Sequence, residues 1–327
     1  MLDCKETAAL LRGWDDILVI CHENPDGDAL GSLFGLVRGL RALGKQAGWY
    51  CASPLPKKFA YLAEGLPPPV APLAKPAHIL TVDVADQKLL GDAWEKFGPH
   101  IPLAIDHHGV HRPFAGACWV DPQSAATAEM VWLLLKELAA PTDAATLGCL
   151  YTGLVTDTGC FRYRNVTPRT LRIAADLLEQ GAPAGDINQR IYESKNLAAV
   201  RAEVMELNTL EVFCGGKCSM IQIPRSILEA TGADEGDMDG SVGRAAAEIE
   251  GVLLFVSLKE REDGSIKASL RASPPANASV LAQRFGGGGH TGAAGCPLDG
   301  LDMAGARLKM IEACTQYLAE IGCAPSP

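Results

Sequence analysis

Three short apolar runs in the first third of the chain each give way at once to acids and histidines. Asp16-Ile-Leu-Val-Ile-Cys21 runs into His22-Glu-Asn-Pro-Asp26-Gly-Asp28, His78–Val82 into Asp83 to Asp86, and Ile101–Ile105 into Asp106-His107-His108. Such runs, bounded by polar clusters, predict buried strands. Gln46–Cys51 predicts another strand, and a helix from about Ala29 to Leu43 joins it to the first. Strand and helix alternating at this spacing predict an α/β fold, a mainly parallel sheet flanked by helices. In open sheets of that kind ligands bind beyond the carboxyl ends of the strands. The polar clusters of this chain stand there.

From Ser124 to about Asn208 the pattern is helical, with start signals at Thr142-Asp143 and Pro168. Strand signals return after Thr209. Leu210–Phe213 and Cys218–Ile223 predict a hairpin around Gly215-Gly216, and 251–259 with 265–271 predict another turning at Asp263-Gly264. A glycine run, Gly286 to Gly289, precedes His290. An amphipathic helix follows from about Asp302 to Glu320, and residues 324–327 read as a tail. At 327 residues the chain exceeds what one core tends to hold. The expected organisation is a catalytic domain over residues 1–195, a linker helix over 196–208 and a smaller α/β domain over 209–327.

Charge narrows the range of partners. With 29 Lys+Arg against 39 Asp+Glu, the net charge is −10. A chain so acidic repels a long polyanion, so any nucleic-acid substrate has to be short and locally bound. No apolar run reaches the ~18 residues of a membrane span, and the N-terminus lacks the basic and apolar regions of a signal peptide. Eleven scattered cysteines read as free thiols in a reducing cytosol. Cys214 and Cys218 form a lone C-x-x-x-C, read as a hairpin turn because no second pair follows at zinc-site spacing. The expectation is a cytoplasmic protein without membrane contact, its oligomeric state open, a homodimer included.

His22, Asp26 and Asp28 lie within seven residues, and Asn24-Pro25 with Gly27 favours a tight turn that brings them together. An imidazole among hard carboxylates suits a divalent ion such as Mn²⁺. Taken alone, the stretch also reads as a solvated surface turn. That reading weakens once Asp83, Asp106-His107-His108 and Asp157, in Gly153-Leu-Val-Thr-Asp-Thr-Gly159, are added. Crowded carboxylates repel one another and lose solvation unless cations lower their pKa values. Two ions sharing one carboxylate resolve that conflict and suit in-line attack on phosphorus.

His-x-Asn-Pro-Asp-Gly-Asp-Ala29, Val82-Asp83-Val-Ala-Asp86, Asp106-His107-His108 and Gly-Leu-Val-Thr-Asp157-Thr-Gly resemble the four ordered motifs of the DHH phosphoesterase superfamily. Ser-Leu-Arg271 and Gly286-Gly-Gly-Gly-His290 resemble its DHHA1 domain. The compact length is similar to that of the bifunctional oligoribonuclease and PAP phosphatase branch. The resemblance implies one Mn²⁺ on His22, Asp26 and Asp83 and a second on Asp28, Asp83, His107 and Asp157, with Mg²⁺ or Co²⁺ as substitutes. It leaves Asp106 to orient a neighbouring histidine and His108 to face the scissile phosphate or the leaving group. Arg271, Gly286, Gly287, Gly288, Gly289 and His290 would grip the nucleotide; Arg162, Arg164 and Arg284 are read as surface charges. The implied reaction is hydrolysis of very short oligonucleotides and of pAp-type nucleotides by a metal-activated hydroxide. The alternative is cyclic or linear dinucleotide hydrolysis. Digestion of long single strands fits the acidic charge poorly, and a silent sensor fits poorly with a complete ligand set.

Overall fold

The computed structural model describes residues 1–70, 76–98, 100–234 and 246–323, so the tail at 324–327 lies outside the described residues. The chain divides into two units, Met1–Ser194 and Lys195–Pro327.

The first unit holds strands β1 (Ile17–Ile20), β2 (Ala47–Tyr50), β3 (His78–Val82), β4 (Leu103–Asp106) and β5 (Ala117–Val120). They form one parallel sheet in the order β2-β1-β3-β4-β5. β1, β2 and β4 are buried throughout, which explains why they read as continuous apolar runs rather than alternating ones. The edge strand β5 was not expected. It has four residues, and only Cys118 and Trp119 are buried.

Around the sheet lie α1 (Cys4–Gly13), α2 (Gly27–Ala42), α3 (Asp92–Phe97), α4 (Thr127–Glu137), α5 (Ala144–Asp157), α6 (Pro168–Glu179) and α7 (Ala184–Asn188). Asp143 caps α5, and Thr167 caps α6 with Pro168 in its first turn. Helices α2 and α5 approach closely, because a Cβ on Gly31 would lie 2.4 Å from the Cys149 carbonyl oxygen. A Cβ on Gly153 would lie 2.7 Å from Asp28 Oδ1. The absence of these side chains lets the end of α5 reach the start of α2.

The second unit contains α8 (Leu197–Leu207), β6 (Glu211–Phe213), β7 (Cys218–Ile223), α9 (Arg225–Thr231), β8 (Leu254–Glu260), β9 (Ile266–Ala272), α10 (Ala278–Gln283), β10 (Gly288–Gly289), β11 (Ala293–Pro297) and α11 (Met303–Glu320). Its sheet runs β10-β11-β9-β8-β7-β6, antiparallel except for the β7–β8 pair. Both expected hairpins form, and Met220, Leu254, Leu270, Met310 and Leu318 centre the core between the sheet and α11.

Glu206, near the end of α8, is 1% exposed, and its Oε1 has no hydrogen-bond partner among the described residues. Burial, with Glu203 adding repulsion, raises its pKa to about 7. A carboxyl raised above its unfolded value contributes full stability below the unfolded pKa near 4.5 and loses it as pH rises through about 7. Glu206→Gln should therefore stabilise the chain at pH 8 by on the order of 1–2 kcal/mol, with the gain vanishing near pH 4.5. Urea midpoints measured across that range check this, and a gain independent of pH would refute it.

Candidate metal centre

The strand order changes direction between β1 and β3, where parallel sheets open a crevice. His22 leaves β1 at that point and Asp83 leaves β3. Asp26 is the N-cap of α2, its side chain accepting from the Asp28 and Ala29 N–H groups at 3.0 Å. Asp28 sits in the first turn of the same helix. Asp106 ends β4, with His107 and His108 directly after it, and Asp157 ends α5.

Three constellations result: His22 with Asp26 and Asp83, Asp28 with His107 and Asp157, and Asp83 with His107 and His108. His22 Nε2 lies 3.7 Å from Asp83 Oδ2, and His107 Nε2 lies 3.6 Å from Asp83 Oδ1. One carboxylate thus faces both imidazoles. His107 Nε2 is also 3.3 Å from Asp157 Oδ2 and 4.0 Å from Asp28 Oδ2. The other ring nitrogens meet backbone carbonyls, His22 Nδ1 at Glu23 O (2.8 Å) and His107 Nδ1 at Ser124 O (3.2 Å). Donation from Nδ1 leaves Nε2 as the ligand atom of each ring.

Burial raises Asp28 to about 7, helped by the charge of Asp83. Burial likewise raises Asp26, and it raises Asp157 well above the ordinary carboxylate range, with Asp28, Asp26 and Asp83 adding repulsion. Burial opposes ionisation of Asp83 as well, but His22, His107 and His108 hold it down at about 2. Burial also disfavours the charged form of His22, yet Asp83 lifts its pKa to about 9. Three carboxyls resisting ionisation around one that ionises readily make a cluster short of positive charge. Hard oxygen donors with two imidazoles facing them fit divalent cations.

Several supporting groups had no signal in the sequence reading. Backbone N–H groups at the start of α4 donate to Asp28, from Thr127 at 2.6 Å and Ala128 at 2.9 Å, while Thr127 Oγ1 donates to Asp83 Oδ1 at 2.9 Å. Arg169 binds Glu129, Asp121 and Ser124 Oγ, and so fixes the segment whose carbonyl orients His107. Asn165 Nδ2 donates to the carbonyls of Ala125 and Asp157. Asp106, fully buried, accepts from His108 Nδ1 on one oxygen and His111 Nδ1 on the other, both at 2.7 Å. Burial opposes its charge, but the two histidines hold its carboxyl well below the usual range. Asp86, expected to stay outside the ligand set, caps a short turn at Lys88 and pairs with Arg112.

In the second unit, the register sets Arg271 of β9 beside Ala293 of β11, whose carbonyl accepts the His290 N–H at 2.7 Å. The turn after β10 therefore brings His290 near the end of β9 that carries Arg271. Two of the four glycines serve close strand packing, since a Cβ on Gly287 would lie 2.1 Å from Gly295 O and one on Gly289 2.5 Å from Ala293 O. Gly286 and Gly288 face open space. Arg284 pairs with Glu320.

Family models match both parts of the chain: the DHH family N-terminal domain over residues 16–154 and the DHHA1 domain over 223–319. The chain is 36% identical, over 94% of its length and 91% of the relative, to the bifunctional oligoribonuclease and PAP phosphatase of Thermus thermophilus. It is 27% identical, over 89% and 92%, to the Bacillus subtilis protein of the same name. The crystal structure of an exopolyphosphatase-related protein from Bacteroides fragilis shares its fold, with a TM-score of 0.88 at 22% identity over 98% and 97% of the two chains. Motif order, fold and sequence identity agree, and the chain belongs to the DHH–DHHA1 phosphoesterase family.

Proposed function

We propose that this protein is a metal-dependent hydrolase that removes nucleotides from very short oligoribonucleotides and dephosphorylates pAp-type nucleotides. The observation that carries the proposal is Asp83, a single carboxylate within 3.7 Å of both His22 and His107 and so at the head of two ligand groups. His22, Asp26 and Asp83 would hold one ion, and Asp28, Asp83, His107 and Asp157 the other. Manganese is the preferred ion, because it accepts imidazole and carboxylate together. Such ions supply positive charge to a phosphoryl group and lower the pKa of water.

The chain's own residues do the rest. Thr127 and the start of α4 fix the rotamers of Asp83 and Asp28. His108, its Nδ1 committed to Asp106, keeps Nε2 as the atom that holds a proton for the leaving oxygen. Arg271 and His290, with the open glycines Gly286 and Gly288, supply charge and N–H groups for a second phosphate. The net charge of −10 favours substrates of few phosphates. Eleven free cysteines suit a reducing cytoplasm. Both named relatives pair oligoribonuclease with PAP phosphatase, which favours this reading over cyclic dinucleotide hydrolysis at the same centre.

The test offers the full chain with Mn²⁺ four substrates: two- to five-nucleotide RNA, pAp, cyclic dinucleotides and a long single strand. Turnover of the first two, lost on chelation, is expected. Turnover confined to the cyclic dinucleotides or to the long strand would overturn the proposal.

A further inference from the structure

The loop after β4 carries a third histidine that the motif does not include. His111 is a ring with 5% of its side chain exposed, and its Nδ1 lies 2.7 Å from Asp106 Oδ2. Its Nε2 is buried and has no hydrogen-bond partner among the described residues. The ring leans on Phe114, with centroids 5.9 Å apart and planes at 32°. Next to it, the Arg112 N–H donates to Ala85 O at 2.8 Å, and the Arg112 guanidinium meets Asp86 at 3.0 Å. The loop is therefore pinned directly after its histidine. Burying an imidazole with one nitrogen unsatisfied costs free energy. Among the described residues His111 has a single polar partner, and that partner is the carboxylate that holds His108.

A carboxylate bound on one oxygen alone can still pivot about its Cβ–Cγ bond. Bound on both oxygens by two packed rings, it cannot. Asp106 has His108 on Oδ1 and His111 on Oδ2, so the plane of the carboxylate, and with it the aim of His108, is set by His111. We propose that His111 is a positioning residue, which locks Asp106 and thereby keeps His108 Nε2 directed at the leaving oxygen. This rests on the role given above to His108. A group held within a few tenths of an ångström raises the rate without adding substrate affinity, so its loss falls on kcat.

Four variants test this on a dinucleotide with Mn²⁺: His111→Ala, His111→Asn, His108→Ala and the His108→Ala/His111→Ala double. The amide nitrogen of Asn reaches the place of the imidazole Nδ1, so it can donate the same hydrogen bond. His111→Ala should lower kcat about 10-fold with KM nearly constant, the size of one lost hydrogen bond to a charged group. His111→Asn should recover most of that rate. Adding His111→Ala to His108→Ala should cost nothing further, because the relay then has no end. Bound metal should match wild type in both single His111 variants, while Tm should fall in His111→Ala and largely recover in His111→Asn.

An Asn variant as slow as the Ala variant overturns the relay, since the hydrogen bond is then not what matters. So does a further loss in the double variant, or metal loss that tracks the fall in rate. Wild-type rate in His108→Ala would instead refute the role of His108 itself.

Discussion

Asp83→Asn should abolish turnover and empty both metal positions. Asparagine suits the test because it tolerates the left-handed backbone of this residue, φ 60°, and can still accept from Thr127 Oγ1. What it removes is the charge that His22 and His107 both face. Losing one ligand of several normally weakens one ion; losing the shared one weakens both. Activity should fall by at least about 10³-fold, in the range seen when a principal charge-stabilising group is removed. Metal analysis after dialysis should find well under one ion per chain. A variant retaining two ions and near-normal rate would show that Asp83 bridges nothing.

The second large effect is selective for substrate. Arg271→Ala or His290→Ala should weaken hydrolysis of dinucleotides and pAp by about 10–100-fold, the size of one or two charge-assisted hydrogen bonds. A small chromogenic phosphodiester that reaches only the metal centre should lose far less. Bound metal should be unchanged in both variants. Part of the loss should fall on kcat, because remote binding energy helps to orient the reacting phosphate. Equal losses on both kinds of substrate would place these residues at the chemistry itself and end the division of labour proposed here.

The proposed ligand residues are legible because they stand at the ends of elements that local sequence already defines. His22, Asp83 and Asp106-His107-His108 each follow a strand with an apolar signature, and Asp157 closes an apolar helix. What holds those ligands is much less legible. The donors to Asp28 come from Thr127 and Ala128, about a hundred residues away, and nothing near either end announces the contact. His111 follows Asp106 by only five residues, yet its meaning depends on a loop that folds back onto the carboxylate. β5 was missed because four residues at a sheet edge, only two of them buried, carry too little pattern. The glycine run was legible only in part. Its residues looked like a phosphate cradle, and two of the four turn out to be required by the strand beside them.

The left-handed backbone at Asp83 sets folding against function at one residue. Its φ of 60° is a conformation that glycine adopts freely and aspartate adopts at a cost, on the order of 1 kcal/mol or more. Its carboxylate is buried as well, but three histidines keep it ionised below the ordinary carboxylate range. A glycine would relieve the backbone strain but leave His22, His107 and His108 without the carboxylate they face, so backbone and side chain pull in opposite directions at this residue. The backbone at position 83 favours glycine, and the groups packed around its side chain favour aspartate.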